Sequence, residues 1–460
     1  MKLRIFKADK GDALLVSSGN GKNHVMVDGG MGDAYRDHCA KPISKLKRLD
    51  VVYVSHIDRD HVQGIYQMLD DTVAWKVHDF LKTHGHPAHK TPKHPKRPPI
   101  TKFWQNNFRD QVDDNDGEIS SMLASQAFTL SGHENAAVRE IALDQQELGQ
   151  SVGDALRVSW RIAEDQLDIP VNPEAGHKLI SVSDASPARF GVGKMDFTVI
   201  GPSEMELEAL RDEWNVWLEE KKAHKERLKK RSDEDHSPLV ASSSAGFAAP
   251  LSGNAEELAS SDGRIQAALA QLAQAKVLGR RKSVTTPNLA SLMFFAREGQ
   301  QTMLLTGDGH CDDILEGLDK AGLLRPDGTL HVDVLKVPHH GSEHNTSLAF
   351  AKAITADKYV FCGNGAHQNP DLDVVKAYIN SRIGTASQRS SSPEAKRRFR
   401  LVFNYHPDNE TGAHRTHLRK ILGHVEARQV APSKISSTFI KGSSQVFSVR
   451  AHLGAASEPI

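Results

Sequence analysis

Two histidines and two aspartates fall within six residues of the segment VSHIDRDHVQG: His56, Asp58, Asp60 and His61. Imidazole and carboxylate groups together suit Zn²⁺, Mn²⁺ or Fe²⁺. Alternate residues of an extended loop point to one side, so His56 and Asp58 could bind one metal ion while Asp60 and His61 reach a second. The alternative is a polar loop that caps a helix, where Asp is a favoured residue.

Two further aspartates follow short apolar runs. Asp308, in LLTGDGH, stands at the predicted end of a strand, where the two oxygens of one carboxylate could bridge two metal ions. Asp28, in VMVDGG, is predicted to hold a ligand histidine or a metal-bound water. The alternative for both is the acidic residue of an ordinary turn.

Histidines also follow apolar runs in the second half of the chain. His339 and His340, in VLKVPHHGSEHNTS, are predicted to be metal ligands or proton carriers, and His344 is predicted to be a loop residue. His367 follows YVFC through a glycine-rich loop and is predicted to be a ligand. The alternatives are a surface histidine pair and a turn histidine.

The apolar runs before these residues predict strands. Runs such as VVYVS, residues 51–55, are typical of strands buried on both faces, whereas 3–7 alternates like a half-buried strand. Further strands are predicted at 13–17, 24–27, 195–200, 290–296, 302–306, 332–337 and 359–362. Because these strands alternate with helix-like stretches, the sequence predicts an α/β layered core.

The core is predicted to be interrupted by insertions. Residues 82–102 are basic and proline-rich, 117–165 and 204–232 are helix-like, and 233–262 are rich in Ser, Ala and Gly. We therefore predict the following organisation: core 1–81, insertion 82–193, core strand 194–203, insertion 204–283, core 284–394 and a C-terminal extension 395–460. We interpret the extension as an accessory β-element or interface, the alternative being a metal site at its histidines 406, 414 and 417.

The composition excludes several classes of protein. Of the 460 residues, 38% are hydrophobic, and 58 basic residues balance 58 acidic ones, so no global basic field attracts nucleic acid. The three cysteines are scattered, which favours a reducing compartment. The N-terminal residues contain no apolar signal region, and no uninterrupted apolar run approaches a membrane span. We therefore expect a cytoplasmic protein that does not bind membranes.

Taken together, these motifs resemble the metallo-β-lactamase superfamily, and most closely its ComEC-type branch, named for the hydrolase domain of bacterial DNA-uptake proteins. The match covers roughly residues 1–80, 194–203 and 284–380, and its motifs run in this order: VDGG, SHIDRDHVQG, MDFTVIGPS, NLASLMFF, LLTGDG, LKVPHHGS and NGAHQNP. The resemblance implies a four-layer αββα sandwich with two metal ions at the strand ends between its sheets.

The resemblance also implies a ligand set, namely His56, Asp58, Asp60, His61, a bridging Asp308 and His367. The sequence departs from the family pattern at two places. Asp58 stands where many members have a second histidine, and Asn288 stands where many have a histidine before the Asp308 strand. These weaker or harder ligands favour Mn²⁺ over Zn²⁺ at the first site. We add His339 to the ligand set, although His340 could fill the gap instead.

The predicted reaction is hydrolysis by a hydroxide shared between two divalent ions, Zn²⁺ or Mn²⁺, which also neutralise charge on the attacked group. We assign catalytic roles to Asp60, His340 and Asp28. Whichever of His339 and His340 is not a ligand could protonate the leaving group. Lys336 is expected to be structural or to face solvent.

Three functions are compatible with this chemistry. The first is a phosphodiesterase that cleaves DNA, with phosphates held by basic segments that include Lys93, Lys96 and Arg97. The alternative for these segments is a solvated charged surface. The second function is hydrolysis of a small ester or phosphoester. The third is a regulated subunit of a bacterial multi-protein complex such as a defence system, with protein partners docking on the two insertions, 82–193 and 204–283.

Overall fold

The computed structural model describes most of the chain: residues 1–87, 90–106, 153–182, 187–212, 279, 281, 284–429 and 434–449. Most of the predicted helical stretch 117–165 and the Ser/Ala-rich stretch 233–262 lie outside the described residues. Of the former, residues 153–162 are helical.

The described strands form two sheets. The first has the order β14-β1-β2-β3-β4-β5, is antiparallel from β14 to β3 and parallel from β3 to β5. Its strands are β1 Lys2–Phe6, β2 Leu14–Ser17, β3 His24–Val27, β4 Val51–Tyr53, β5 Phe103–Trp104 and β14 Ser444–Ser448.

The second sheet has eight strands in the order β13-β12-β11-β10-β9-β8-β7-β6. It is parallel from β13 to β9 and antiparallel from β9 to β6. Its strands are β6 Arg189–Val192, β7 Met195–Gly201, β8 Met293–Glu298, β9 Gln301–Leu305, β10 Leu330–Lys336, β11 Ile354–Phe361, β12 Phe399–Phe403 and β13 Ile435–Phe439.

Helices cover the outer faces of both sheets. They are α1 Gly32–Ala34, α2 Ala40–Ile43, α3 Arg59–Thr83, α4 Thr286–Leu289, α5 Cys311–Lys320, α6 Leu348–Ala353, α7 Leu372–Ile383 and α8 Gly412–Glu426. A π-helical turn, Tyr35–Cys39, joins α1 to α2, and residues 204–212 are also helical. In the part of the chain that is described, no helix is long and apolar enough to cross a membrane.

Three apolar cores define the layers. The central core joins side chains of both sheets, such as Val16 and Val25 of the first and Phe294 and Val334 of the second. A second core packs α5 to α8 on the outer face of the eight-stranded sheet. A third packs α3 and the 32–43 segment on the outer face of the other sheet. The predicted α/β layering is therefore confirmed as a sandwich with helices outside.

The start of α3 differs from the sequence-based prediction. Helix α3 begins at Arg59, so Asp60 and His61 lie in its first turn rather than in an extended loop. The alternating loop geometry therefore does not apply beyond Asp58.

The C-terminal residues are part of the sandwich rather than an appended extension. Strands β12 and β13 continue the parallel part of the eight-stranded sheet. Strand β14 pairs with β1 over its full length, from Lys2 opposite Ser448 to Phe6 opposite Ser444. These pairings join segments far apart in the sequence, which a local pattern of apolar residues does not reveal.

Candidate metal centre

The first candidate residues leave the end of β4 and enter α3. Asp58 is the N-cap residue of α3, with extended backbone angles, but its side chain makes no capping hydrogen bond. The carboxylate instead approaches His56, with Asp58 Oδ2 3.4 Å from His56 Nε2. The side chain of Asp58 therefore does not cap the helix. Its carboxylate oxygens face the imidazole of His56 instead.

Asp308 lies at the centre of the site. Gly307 before it has φ +49°, and a Cβ at that position would come within 3.0 Å of the Ser55 Cβ, so only glycine lets this turn approach the β4 loop. Four imidazole nitrogens face Asp308 Oδ2: Nε2 of His340 at 3.2 Å, of His61 at 3.4 Å, of His339 at 3.6 Å and of His56 at 3.9 Å.

The turn after β10 supplies the adjacent pair of histidines. His339 and His340 both have left-handed backbone angles, with φ +45° and +54°, which are uncommon for residues other than glycine. Such strain is typical of functional sites. His340 is buried, whereas the His339 side chain is 27% exposed, so His339 lies on the open side of the cluster.

The second nitrogen of each of these rings is held by its own partner. His61 Nδ1 lies 2.9 Å from Asp28 Oδ2, in line with the prediction that Asp28 holds a histidine. The other pairs are His340 Nδ1 with Asp12 Oδ1 at 3.1 Å, His339 Nδ1 with Asn345 Oδ1 at 2.7 Å, and His56 Nδ1 with Ser55 Oγ at 3.0 Å. An acceptor at Nδ1 keeps a proton on that nitrogen, so Nε2 is the nitrogen that can bind a metal ion.

Lys336 is a further charged member of the cluster. It is 2% exposed, and its Nζ lies 2.5 Å from Asp12 Oδ2 and 3.2 Å from Asp308 Oδ1. It also donates to the carbonyl of Gly307 at 2.7 Å. Of the two predicted alternatives, solvent exposure is wrong, because a buried ammonium needs these anionic partners.

The carboxylates of the cluster stay ionised despite burial. Burial alone would raise the pKa of Asp308, but His340, His61 and Lys336 hold it well below its usual range. In the same way, His61 and His340 keep the pKa of Asp60 low. Burial would lower the pKa of His61, and the carboxylates of Asp308 and Asp28 raise it well above its ordinary value. The cluster thus balances its anions with imidazole protons, which bound metal cations would replace.

The residues present fit a divalent metal ion. Four buried residues each offer one ligand atom, and these four atoms lie within 4.8 Å of one another: Asp12, His61, Asp308 and His340. Nε2 of His56 is buried without a hydrogen-bond partner in the described chain, and so is Oδ1 of Asn288 in α4. Imidazole mixed with carboxylate and amide oxygen suits Zn²⁺ or Mn²⁺.

Another group of potential ligands follows directly along the chain, at His310, Cys311 and Asp312. Here His310 already caps α5, accepting a hydrogen bond at Nδ1 from the backbone of Asp312. Burial raises the pKa of the Cys311 thiol to about 12, so it is not the thiolate that binds metals. This group is therefore accounted for by helix capping and packing.

His367 does not join the cluster in this structure. It lies in the turn Ala366–Gln368 with φ +51°, and its side chain is exposed. Among the described contacts, none joins His367 to Asp308 or to the four histidines around it. Gly365 and His367 both take left-handed backbone angles in this turn. The ligand role of His367 remains a prediction from the resemblance alone.

The basic residues predicted to bind nucleic acid differ from one another in their surroundings. Arg97 is buried, with Nε 3.0 Å from Asp71 Oδ2 and Nη1 donating to the carbonyl of Ala40 at 3.1 Å. A guanidinium held in this way cannot reach a phosphate, so the prediction for Arg97 is wrong. Lys93 is exposed, and Lys96 is exposed but paired with Asp79.

Sequence reasoning missed Asp12 and Asn345, and it left open whether Lys336 is structural or faces solvent. A signal existed for Lys336, because a lysine inside an apolar run that predicts a buried strand requires a buried carboxylate partner. Asp12 precedes the apolar residues of β2 and gives a weaker signal of the same kind. Asn345 gives none, since an asparagine in a Ser- and His-rich loop is an ordinary loop residue.

Comparison with known proteins does not assign a function to this cluster. Neither the models of known protein families nor the curated proteins give a match to this chain. The function of the buried His/Asp cluster therefore has to be inferred from its own geometry and from the motifs in the sequence.

Proposed function

We propose that this chain is a metal-dependent hydrolase of the metallo-β-lactamase fold with a dinuclear centre around Asp308. The observation that carries the proposal is the convergence of four imidazole Nε2 atoms on one oxygen of the Asp308 carboxylate. These side chains come from the ends of strands in both sheets, β4 in one and β9 and β10 in the other. The order of the motifs along the sequence supports the same family.

The ligands of two ions would come from the loop after β4 and the turns after β9 and β10. His56 with Asp58, and His61 with Asp60 and His340, would hold one ion each, and Asp308 would be shared between them. When bound, the two ions would lower the pKa of a coordinated water toward neutrality and offset negative charge on the attacked group. Asp28 and Asp12 orient His61 and His340 for this task.

The geometry favours a revised division of roles between the adjacent histidines. His340 is buried, and one of its ring nitrogens is among the four ligand atoms that lie within 4.8 Å of one another. Both observations favour a ligand role. His339 is partly exposed and lies at the open side, which favours proton transfer to the leaving group. Water supplies a hydroxyl to the attacked atom and the ester bond breaks, while the free Nε2 of His339 accepts the proton of that water and passes it to the leaving oxygen.

We propose a phosphodiester as the substrate, and DNA as the phosphodiester. The exposed Lys93 and Lys96 lie in a segment that packs along the later turns of α3, where Trp75 Nε1 donates to the carbonyl of His94 at 3.0 Å. These turns lie about four to five turns after Asp60, roughly 25 Å along the helix axis. A phosphate bound there and a bond cleaved at the cluster would therefore belong to one extended polymer.

Hydrolysis by purified protein loaded with Mn²⁺ or Zn²⁺ tests the proposal. A labelled single- or double-stranded oligonucleotide and a small chromogenic phosphodiester serve as substrates. The variant Asp58→Ala with His61→Ala should lose both its bound metal and its activity, whereas Asp319→Asn, which changes an exposed carboxylate of α5, should keep both. Equal cleavage by the double variant would assign the activity to a contaminant.

Substrate length separates the polymer from a small ester. If DNA is the substrate, cleavage of long oligonucleotides should exceed that of dinucleotides, and Lys93→Glu should weaken the former only. Rapid turnover of a small ester together with inert DNA would replace the phosphodiesterase by a small-ester hydrolase with the same metal centre.

A further inference from the structure

A second group of acidic side chains lies against helix α5, and it shares no residue with the candidate metal centre. A cavity of about 280 Å³ opens between α5, the end of β7 and the helical residues 204–212. Two of its lining carboxylates are buried, with side-chain exposures of 8% for Glu206 and 9% for Asp313. Two more, on Asp312 and Glu316, are exposed at the mouth.

Within the described part of the chain, the two buried carboxylates face less positive charge than they carry negative charge. Arg281 is their one cationic partner among the described contacts, with Nη2 3.0 Å from Glu206 Oε1 and Nε 3.1 Å from Asp313 Oδ1. The second oxygen of Asp313 is buried and accepts no hydrogen bond from a donor group of the described chain. Burial and the adjacent Asp313 carboxylate raise the pKa of Glu206 to about 7, so a proton partly supplies the missing charge.

The rest of the wall is apolar. Val182, Ile200 and Met205 line the cavity, and Met205 is 69% exposed although it is a large hydrophobic residue. Gly201 and Gly317 also line it, where α5 packs so closely on β7 that a Cβ at Gly317 would lie 1.7 Å from the carbonyl oxygen of Ile200. A bare metal ion would gain nothing from such walls, and no three described carboxylates here bring their oxygens within 4.8 Å of one another. A cation on a methylene stem suits both the acidic end and the apolar sides.

We propose that this cavity, bounded by Glu206, Asp313 and the apolar wall, binds an alkylammonium cation, either a free di- or polyamine or the side chain of a lysine. One ammonium group would take the place of the shared proton between Glu206 and Asp313. The methylene chain would lie along Met205 and Ile200, and a second ammonium group would face Asp312 and Glu316. The inference does not depend on the hydrolase proposal, since it uses no residue of the metal centre.

Calorimetric titration of the full chain with spermidine, putrescine and a short lysine-containing peptide tests the proposal and separates the two sources of the cation. We expect saturable binding at one site per chain for at least one of them. Glu206→Gln and Asp313→Asn should each weaken it about tenfold or more, as expected for loss of a charged hydrogen bond. Glu208→Gln, an exposed carboxylate of the same helical stretch, should bind as the unaltered protein does.

Weaker binding by a variant could also result from misfolding, whereas tighter binding could not. Because Arg281 occupies the same carboxylates, Arg281→Ala should strengthen amine binding several-fold. The proposal is overturned if none of the three cations binds, or if Glu206→Gln or Arg281→Ala leaves the affinity unchanged. Stoichiometric displacement of the amine by Mn²⁺, lost in Glu206→Gln, would reassign the cavity as a metal site.

Discussion

Two carboxylate pairs flank the start of α5, and each is bridged by a single basic side chain. On one side, Lys336 contacts Asp12 and Asp308. On the other, Arg281 contacts Glu206 and Asp313. All four carboxylates are at least nine-tenths buried, so the pairs differ in what surrounds them rather than in depth.

The surroundings give the two pairs opposite protonation states. At the metal centre, burial would raise the pKa of Asp12, but Lys336 and His340 lower it to about 2. In the cavity, burial and a neighbouring carboxylate raise the pKa of Glu206 to about 7. Burial therefore does not decide whether a carboxylate is charged; the number of cations facing it does. The first pair is permanently anionic, and the second exchanges a proton near neutral pH.

The largest expected effect separates the two sites by metal content. Asp308→Asn should remove the shared anionic ligand, abolish binding of at least one ion and lower hydrolysis about a thousandfold or more. Asp313→Asn should retain its metal, because Asp313 contacts no residue of the cluster among the described contacts. Metal analysis of the purified variants measures the difference. Equal metal loss in both would mean that the two sites are not independent.

The two bridging cations give the next effect. Lys336→Met should destabilise the metal-free protein by about 3–5 kcal/mol, because it leaves two buried carboxylates without their ammonium. Arg281→Met should cost about 1 kcal/mol or less, since the arginine side chain is 43% exposed and screened by solvent. Urea unfolding of both metal-free variants measures these free energies. Similar losses would contradict the difference in burial.

A smaller effect concerns the orientation of His339. Asn345 accepts from His339 Nδ1 and donates to the carbonyl of Asp308 at 2.8 Å, so it positions the ring against the carboxylate. Asn345→Ala should lower kcat about 10- to 100-fold with little change in KM or metal content. An exposed asparagine, Asn409, provides the control through Asn409→Ala. A larger change in KM than in kcat would argue for a role in substrate binding instead.

The smallest effect is a pH dependence of stability in the cavity. The pKa of Glu206 is about 7 in the folded protein against an ordinary 4.5, so the folded state holds more protons between these values. Stability should therefore fall as pH rises from about 4.5 to 7 and stay low above it. Glu206→Gln should remove this decline and stabilise the protein at pH 8 by about 1–3 kcal/mol. Thermal unfolding from pH 5 to 8 measures it, and parallel curves for both proteins would contradict it.

The sequence predicted the layered α/β architecture and most of the residues around Asp308. Both predictions rest on local information, because apolar runs mark strands and polar residues after them mark strand ends. His56, His61, Asp308 and the adjacent histidines each follow such a run, and the structure brings them together. Asp60 and His61 were predicted to lie in an extended loop, since the first turn of α3 consists largely of charged residues with no apolar period.

What the sequence could not reveal depends on partners far apart along the chain. Arg97 looks like the other cations of its basic segment, but Asp71, its partner, lies in α3. Asp12 looks like a turn residue until His340 and Lys336 are brought beside it. His367 is exposed in a turn with left-handed backbone angles at two residues, a conformation that motif spacing does not specify.

The pairing of β14 with β1 has a consequence for how the protein is made. The N-terminal strand has one edge that stays open until residues near the other end of the chain have been synthesised. Such non-local pairing closes slowly, and an open edge can recruit other chains in the meantime. We therefore expect chains truncated before Ser444 to aggregate during expression, even though they retain every residue of the His/Asp cluster.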